Sequence, residues 1–517
     1  MRLARAALVI GGSYVLSNLA GFLARILIAQ QYGTGAEHDA FRAAFQVPDL
    51  LFSLLAGGAL GSAFIPTFAA RLATGKTGTA WALARRIALL TVGAMGGVAA
   101  LAALASDALT ARVVATGFDP ASQALTAELM RIMLIGTVIF SLSGLLMGVL
   151  QSHESFLAPA LAPAMYQFGL IAGATVLSGF GARGLAYGVV AGAFAHLLIQ
   201  VPALLRLPRA RPSPSDTAES RHDVVQVLRL MAPRMIGLGA TRLNLVINTR
   251  LASEMGVGAV SAFDQAFAIL VLPIAMAGQA VGTALFPSIS AAAARGERAA
   301  FGASLTRALR MVIAFAAPAT TGLILLGQPL IRLLFERGSF NEASTALVAG
   351  TLSWLAVGLI GHSALEIVTR GYYALKDSTR PAVFSVFSMA ANVGLSLILA
   401  RTFAAAGQSP VGGLALANAL ATLAETAGLA ILLSRVGGAL DGRTIVDGLL
   451  RSVGGSLVMA LALTGWRALA GDGALATLAA IPLGGAVYLG AAWLLGSADA
   501  RWLVTLARER LVAAPRR

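Results

Sequence analysis

Asp39, Arg42, Gln46 and Asp49 follow one another at steps of three, four and three residues. On a helix that spacing puts all four side chains on one stripe. Such a stripe can close i,i+3 ion pairs, or it can line a path for a charged group. A second set lies in MAPRMIGLGATRLNLVINTRLASE, residues 231–254. There Arg234, Thr241, Asn244 and Asn248 share one side of a helix, with Arg242 and Arg250 on the adjoining strip. Guanidinium forks match the oxygens of phosphates and carboxylates, so this strip predicts a site that attracts anions. Arg25 stands seven residues after Asn18 on a shared face, and Asp264 is the expected counter-charge for Arg250. Glu366 and Glu425 are candidates for holding a coupling cation or proton, although Arg370, one turn after Glu366, makes an ion pair the simpler reading.

Other chemistries find no support in the chain. It has no cysteine, which excludes disulfides, thiolate metal sites and a cysteine nucleophile. Its five histidines share no metal-ligand spacing, and no phosphate-binding loop or catalytic triad is visible. A transporter without catalytic residues, metal or cofactor is expected, driven by a coupling cation, by the membrane potential or by another protein.

The elements that position these residues follow from composition. Of 517 residues, 57% are apolar and 12% charged, against about a quarter charged in soluble domains. That much apolar surface cannot be hidden in one water-soluble core, so the chain reads as an all-α polytopic membrane protein. At about 20 apolar residues per crossing it yields about fourteen spans, from 6–31 and 40–70 through 226–251 and 259–292 to 475–496. The net charge of +15 is spread over short loops, which argues for membrane orientation and against nucleic acid. With both termini cytoplasmic, Arg71, Lys76, Arg85, Arg86 and the basic residues of 206–229, 295–310, 435–451 and 501–517 all fall inside. The polar stretch PRARPSPSDTAESRHD, 208–223, reads as a solvated linker. It divides an N-terminal lobe (1–207) from a second lobe (224–436), leaving a terminal helix pair and basic tail (437–517). Two six-helix lobes around a central cavity are expected.

Several motifs carry a resemblance. YGTGAEHDAF (32–41), FQVPDLL (45–51), GALGSAFIPTF (58–68), SHESFLAPALAP (152–163), QAVGTALFPSIS (279–290), LFERGSF (334–340) and RGYYALKDSTRP (370–381) occur in order over nearly the whole chain. In these the chain resembles the MurJ/MviN lipid II flippases of the multidrug, oligosaccharidyl-lipid and polysaccharide exporter superfamily. The resemblance implies transfer of an undecaprenyl-pyrophosphate-linked saccharide across the bacterial cytoplasmic membrane by alternating access. It also implies a cationic cavity lined by the first, second, seventh and eighth spans. Membrane lipids and cell-wall synthesis enzymes are the partners it suggests. Where that family usually carries arginine, this chain has Ala24, Phe52 and Ala268, while Arg25 takes an acidic position. Arg25, Arg42 and Arg242 restore positive charge in another geometry, or the cargo is a different lipid-linked saccharide. A cation-coupled small-molecule antiporter of the MATE type is the other transport reading, with Asp39, Asp49 and Glu425 as ion sites.

Overall fold

The computed structural model describes the backbone of residues 2–55, 58–208, 210, 212–436 and 440–501, and their side chains except 2–10, 55, 58–62, 232–234, 236–238, 240–241 and 436. The helices are α1 (Arg2–Tyr32), α2 (Ala36–Leu55), α3 (Gly58–Ala73), α4 (Thr77–Leu104), α5 (Ser106–Leu109), α6 (Pro120–Ser152), α7 (Leu157–Ala174), α8 (Ala182–Leu198), α9 (Val201–Leu205) and α10 (Pro214–Ser253). They continue with α11 (Ala259–Ile274), α12 (Ala280–Ala294), α13 (Arg298–Phe335), α14 (Glu342–Ala356), α15 (Leu359–Ala374), α16 (Thr379–Ala405), α17 (Pro410–Val436), α18 (Gly442–Ala470) and α19 (Ala474–Leu494). Among the described residues, eleven helices are long and apolar enough to cross a membrane, or twelve if α14 and α15, bent by 48°, form one span. This is a multi-pass membrane protein.

The expected count of about fourteen also included 40–70 and 226–251. Both are helical, but neither passes on length and composition. The first is divided into α2 and α3, and α2 carries four charges. The second belongs to α10, a 40-residue helix rich in arginine.

The chain packs as two compact units, Met1–Ser261 with Arg337–Asn341, and Ala262–Glu336 with Glu342–Arg517. The division expected at 208–223 is therefore displaced to Ser261, and most of that linker is helix. Ser213 starts α10 through a capping box: its hydroxyl accepts from the Asp216 backbone, and Asp216 accepts from the Ser213 backbone. Val224, Val227 and Met231 of α10 are then buried with Phe64, Phe68 and Leu83. Alongside them Arg71 donates to both oxygens of Asp223, at 2.8 and 2.7 Å, and to Glu219 at 2.8 Å. Apolar burial and charge both tie α10 to α3 and α4.

Elsewhere in the first unit α7 and α8 approach through Gly169 and Gly173 on one helix and Gly184, Gly188 and Gly192 on the other. A Cβ at Gly169 would run into the Gly192 backbone, the close contact that small residues permit in membrane helices. The segment 337–341 also belongs to this unit, where Ser339 N–H donates to the Gln30 carbonyl at 2.8 Å. In the second unit, α18 and α19 do not form a separate body. The Tyr488 hydroxyl donates to the Ala314 carbonyl at 2.7 Å, and Arg310 pairs with Asp499 at 2.8 Å, joining the pair to α13. The tail 502–517 lies outside the described residues.

Candidate functional site

The polar stripe of α2 does not act as one surface. Asp39 is 1% exposed, and its two oxygens accept from the Gly258 and Ser261 backbone N–H groups at 2.6 and 2.7 Å. It caps the start of α11 from another helix, satisfying donors that a helix leaves unpaired. This corrects its expected place in a substrate cavity: both oxygens are committed to the backbone. Arg42 donates from Nε to His38 Nε2 at 3.3 Å, and its guanidinium lies 5.7 Å from the Phe41 ring centroid. His38 Nδ1 is 2.7 Å from the Gly33 carbonyl. That fixes the tautomer, with Nδ1–H donating to the carbonyl and Nε2 left to accept from Arg42.

One turn past Gln46, Asp49 meets α10. Arg242 Nη1 donates to Asp49 Oδ2 at 2.7 Å, with side chains 38% and 24% exposed. This pair joins residues 193 positions apart, and both were candidates from the sequence. Their pairing was not, because helical phase along one segment says nothing about which helix it faces. Further along α10, Asn248 is buried and donates to the Asn244 side-chain oxygen at 2.8 Å. Arg250 is exposed and Arg25 half-buried. The side chain of Arg234 lies outside the described residues. Where described, Arg42 meets His38 and Arg242 meets Asp49.

The remaining candidates belong to the second unit. Asp264 is half-buried there. Glu366 forms the i,i+4 pair with Arg370, Oε2 to Nη1 at 2.5 Å, as the simpler reading had it. Glu425 is half-buried on α17, one turn after Ala421, whose carbonyl accepts from the Ser388 hydroxyl at 3.2 Å. Gly282 faces the Arg370 guanidinium with no room for a Cβ between them, a contact that leaves no mark in sequence periodicity.

Sequence reasoning also missed a cavity of about 300 Å³ inside the first unit. Asp49 lines it together with Phe45, Phe52, Phe140, Tyr166, Gln167 and His196. These residues come from α2, α6, α7 and α8, and nothing in their individual spacing links them. His196 Nδ1 sits 2.6 Å from the Ser143 hydroxyl, which also accepts from Gln200 at 2.7 Å. The histidine is therefore held in a buried hydrogen-bonded chain.

The family model described as lipid II flippase MurJ matches residues 28–482. The lipid II flippase MurJ of Burkholderia cenocepacia is 32% identical over 75% of this chain and 76% of its own length. A probable lipid II flippase MurJ of Rhizobium meliloti is 33% identical over 77% of this chain and 75% of its own. Among solved structures, a lipid II flippase MurJ in an inward closed conformation aligns with a TM-score of 0.76 at 21% identity, covering 96% of this chain and 100% of that one. An inward-facing MATE family multidrug transporter aligns at 0.68 and 18% identity, over 81% and 94%. These two likenesses concern the fold alone.

Proposed function

Because this chain belongs to the lipid II flippase MurJ family, we propose that it moves lipid II, the undecaprenyl-pyrophosphate-linked peptidoglycan precursor, from the inner to the outer leaflet of the bacterial cytoplasmic membrane. The match of the family model across residues 28–482 carries this reading. Alternating access requires no bond in the cargo to be made or broken, so no catalytic residue is assigned. Arg242 is the proposed host for a phosphate oxygen. It stands mid-helix on α10, and only its Nη1 is taken up in the bond to Asp49, while a guanidinium carries five donors. An anionic headgroup competes with Asp49 for that fork. Arg25, Arg42 and Arg250 add positive charge to the first unit, and Glu425 is the proposed proton or cation group. Cell-wall synthesis enzymes are the proposed recipients of the flipped cargo.

The antiporter reading has less behind it: both relatives above bear flippase names, and the MATE likeness stands at 18% identity. The decisive experiment is complementation of a bacterial strain depleted of its own lipid II flippase. Restored growth is expected. Lysis despite normal membrane insertion of this chain would overturn the assignment of cargo.

A further inference from the structure

The cavity inside the first unit has a chemistry of its own. Four aromatic rings line it: Phe45, Phe52, Phe140 and Tyr166. Phe140 stands at the centre of this wall. Its ring centroid is 5.5 Å from that of Phe52 and 4.8 Å from that of Tyr166, both edge-on, and 4.9 Å from His196. Pro48, Met133, Pro163 and Val189 complete an apolar lining, while Thr137 and Gln167 add polar atoms. Among the described lining residues there is no lysine or arginine, and Asp49 is the one carboxylate. The volume of about 300 Å³ lies at the lower end of the range for small-molecule sites, roughly 300–1,000 Å³.

Aromatic faces carry negative quadrupole density and attract cations brought over them, most strongly where water is excluded. A single carboxylate beside such a wall adds directional attraction, whereas an anion or a neutral chain would gain nothing from Asp49. We propose that this cavity binds a small lipophilic organic cation, of the quaternary ammonium or protonated arylalkylamine class. Its charged centre takes Asp49 and its apolar body lies among Phe52, Phe140 and Tyr166. This site is separate from the anion-binding role assigned to Arg242, and the two are coupled through one oxygen. Asp49 Oδ2 accepts from Arg242 Nη1 at 2.7 Å, so a cation in the cavity competes with the guanidinium. Occupancy would loosen the tie between α2 and α10 and release Arg242.

The test is calorimetric titration of the purified full-length protein with benzyltrimethylammonium, beside its uncharged carbon isostere neopentylbenzene. Saturable binding of the cation, at least about tenfold tighter than the isostere, is expected. Asp49→Asn should weaken it about tenfold, and Phe140→Leu by roughly three- to tenfold. Arg242→Gln removes a competitor at 2.7 Å and should strengthen it. A purely structural carboxylate would not produce that opposite sign. Equal binding of the isostere would mean an apolar pocket without cation preference, and would overturn the proposal. So would unchanged affinity in Asp49→Asn, or no saturable binding by the natural chain. If Asp49→Asn fails to fold, the comparison of charged and uncharged probes on the natural chain still decides. None of these readouts involves flipping, so they stand or fall independently of the proposed cargo.

Discussion

Arg242 and Asp49 show what a charge inside a membrane protein demands of its surroundings. Helical phase marks both as inward-facing, yet only the fold reveals that each is the other's partner. Removing one member takes from the other a charge partner at 2.7 Å in a partly buried setting, which costs stability. Asp49→Asn and Arg242→Gln should each lower thermal stability, while the double variant should lie closer to the natural chain than the sum of the two. The expected coupling is about 1–2 kcal/mol, measured by a double-mutant cycle of thermal unfolding in detergent. Flipping of labelled lipid II in vesicles should separate this structural role from the transport role. Arg242→Lys keeps the charge without the planar fork and should retain part of the rate; the double variant should fold but not flip. Normal flipping by the double variant would remove Arg242 from the site. Asp39 teaches the converse lesson. Its helical phase was legible, but the use of both oxygens by the Gly258 and Ser261 backbone depends on a contact across more than two hundred residues.

Two elements decide how the first unit holds together, and they were legible to different degrees. Glycines at 169 and 173, and at 184, 188 and 192, stand at four-residue steps in the sequence. That repeat announces a small-residue face, although not which two faces meet. Because a Cβ at Gly169 collides with backbone rather than with a movable side chain, Gly169→Val should separate α7 from α8 and reduce the folded yield sharply. Gly485→Ala on α19 meets nothing within 4 Å and should be neutral or slightly stabilising, since alanine favours helix by about 1 kcal/mol. Comparing the two by size-exclusion profile and melting temperature checks both. The Ser, Pro and acidic residues at the start of α10 suit solvent and predict a linker. Those residues instead cap the helix and clasp α3 and α4. The Ser213 hydroxyl and backbone N–H, with Thr79, hold the Asp216 carboxyl below its usual range, and the Lys76 ammonium does the same for Glu219. A carboxylate with a depressed folded pKa stabilises above its ordinary pKa and loses that contribution as pH falls through the lower folded value. The clasp should therefore hold at pH 7 and open progressively below about pH 4. Spin labels at Thr74→Cys and Ser215→Cys in this cysteine-free chain should report a short, narrow distance that broadens over that range. A distribution unchanged down to pH 3 would show that apolar packing alone holds α10.

At the scale of the molecule, the contacts of the first unit sort its loops onto two ends. Lys76 meets Glu219 at 2.7 Å, so the 74–76 turn and the start of α10 share one end. At the other, the Tyr32 hydroxyl donates to the Gly181 carbonyl at 2.8 Å, and the Ala182 N–H donates to Glu37 at 2.9 Å. The Thr116 hydroxyl donates to Glu254 at 2.7 Å, placing 116 beside the end of α10. Between these ends runs α6, whose 33 residues span about 50 Å at 1.5 Å per residue, more than the roughly 30 Å hydrocarbon thickness of a bilayer. The sequence supplied the direction across that thickness. Arg71, Lys76, Arg85, Arg86, Arg206, Arg221 and Arg229 lie toward the first end, against Arg112, Arg131, Arg183 and Arg250 toward the second. Positive residues in short loops are retained on the cytoplasmic side, so the end bearing Lys76 and Glu219 is expected to face the cytoplasm. What the sequence did not supply was the parting of the units at Ser261, because that depends on the burial of Val227 and Met231 against Phe64 and Phe68. Single cysteines test the orientation without background. A membrane-impermeant maleimide applied to intact spheroplasts should label Gly179→Cys, in the turn between α7 and α8, and should reach Ala210→Cys only after permeabilisation. The reverse pattern would invert the molecule and put the basic end outside. It would also leave the Arg242–Asp49 pair presented to cargo from the opposite leaflet, so the direction of transfer proposed for this chain rests on that one measurement.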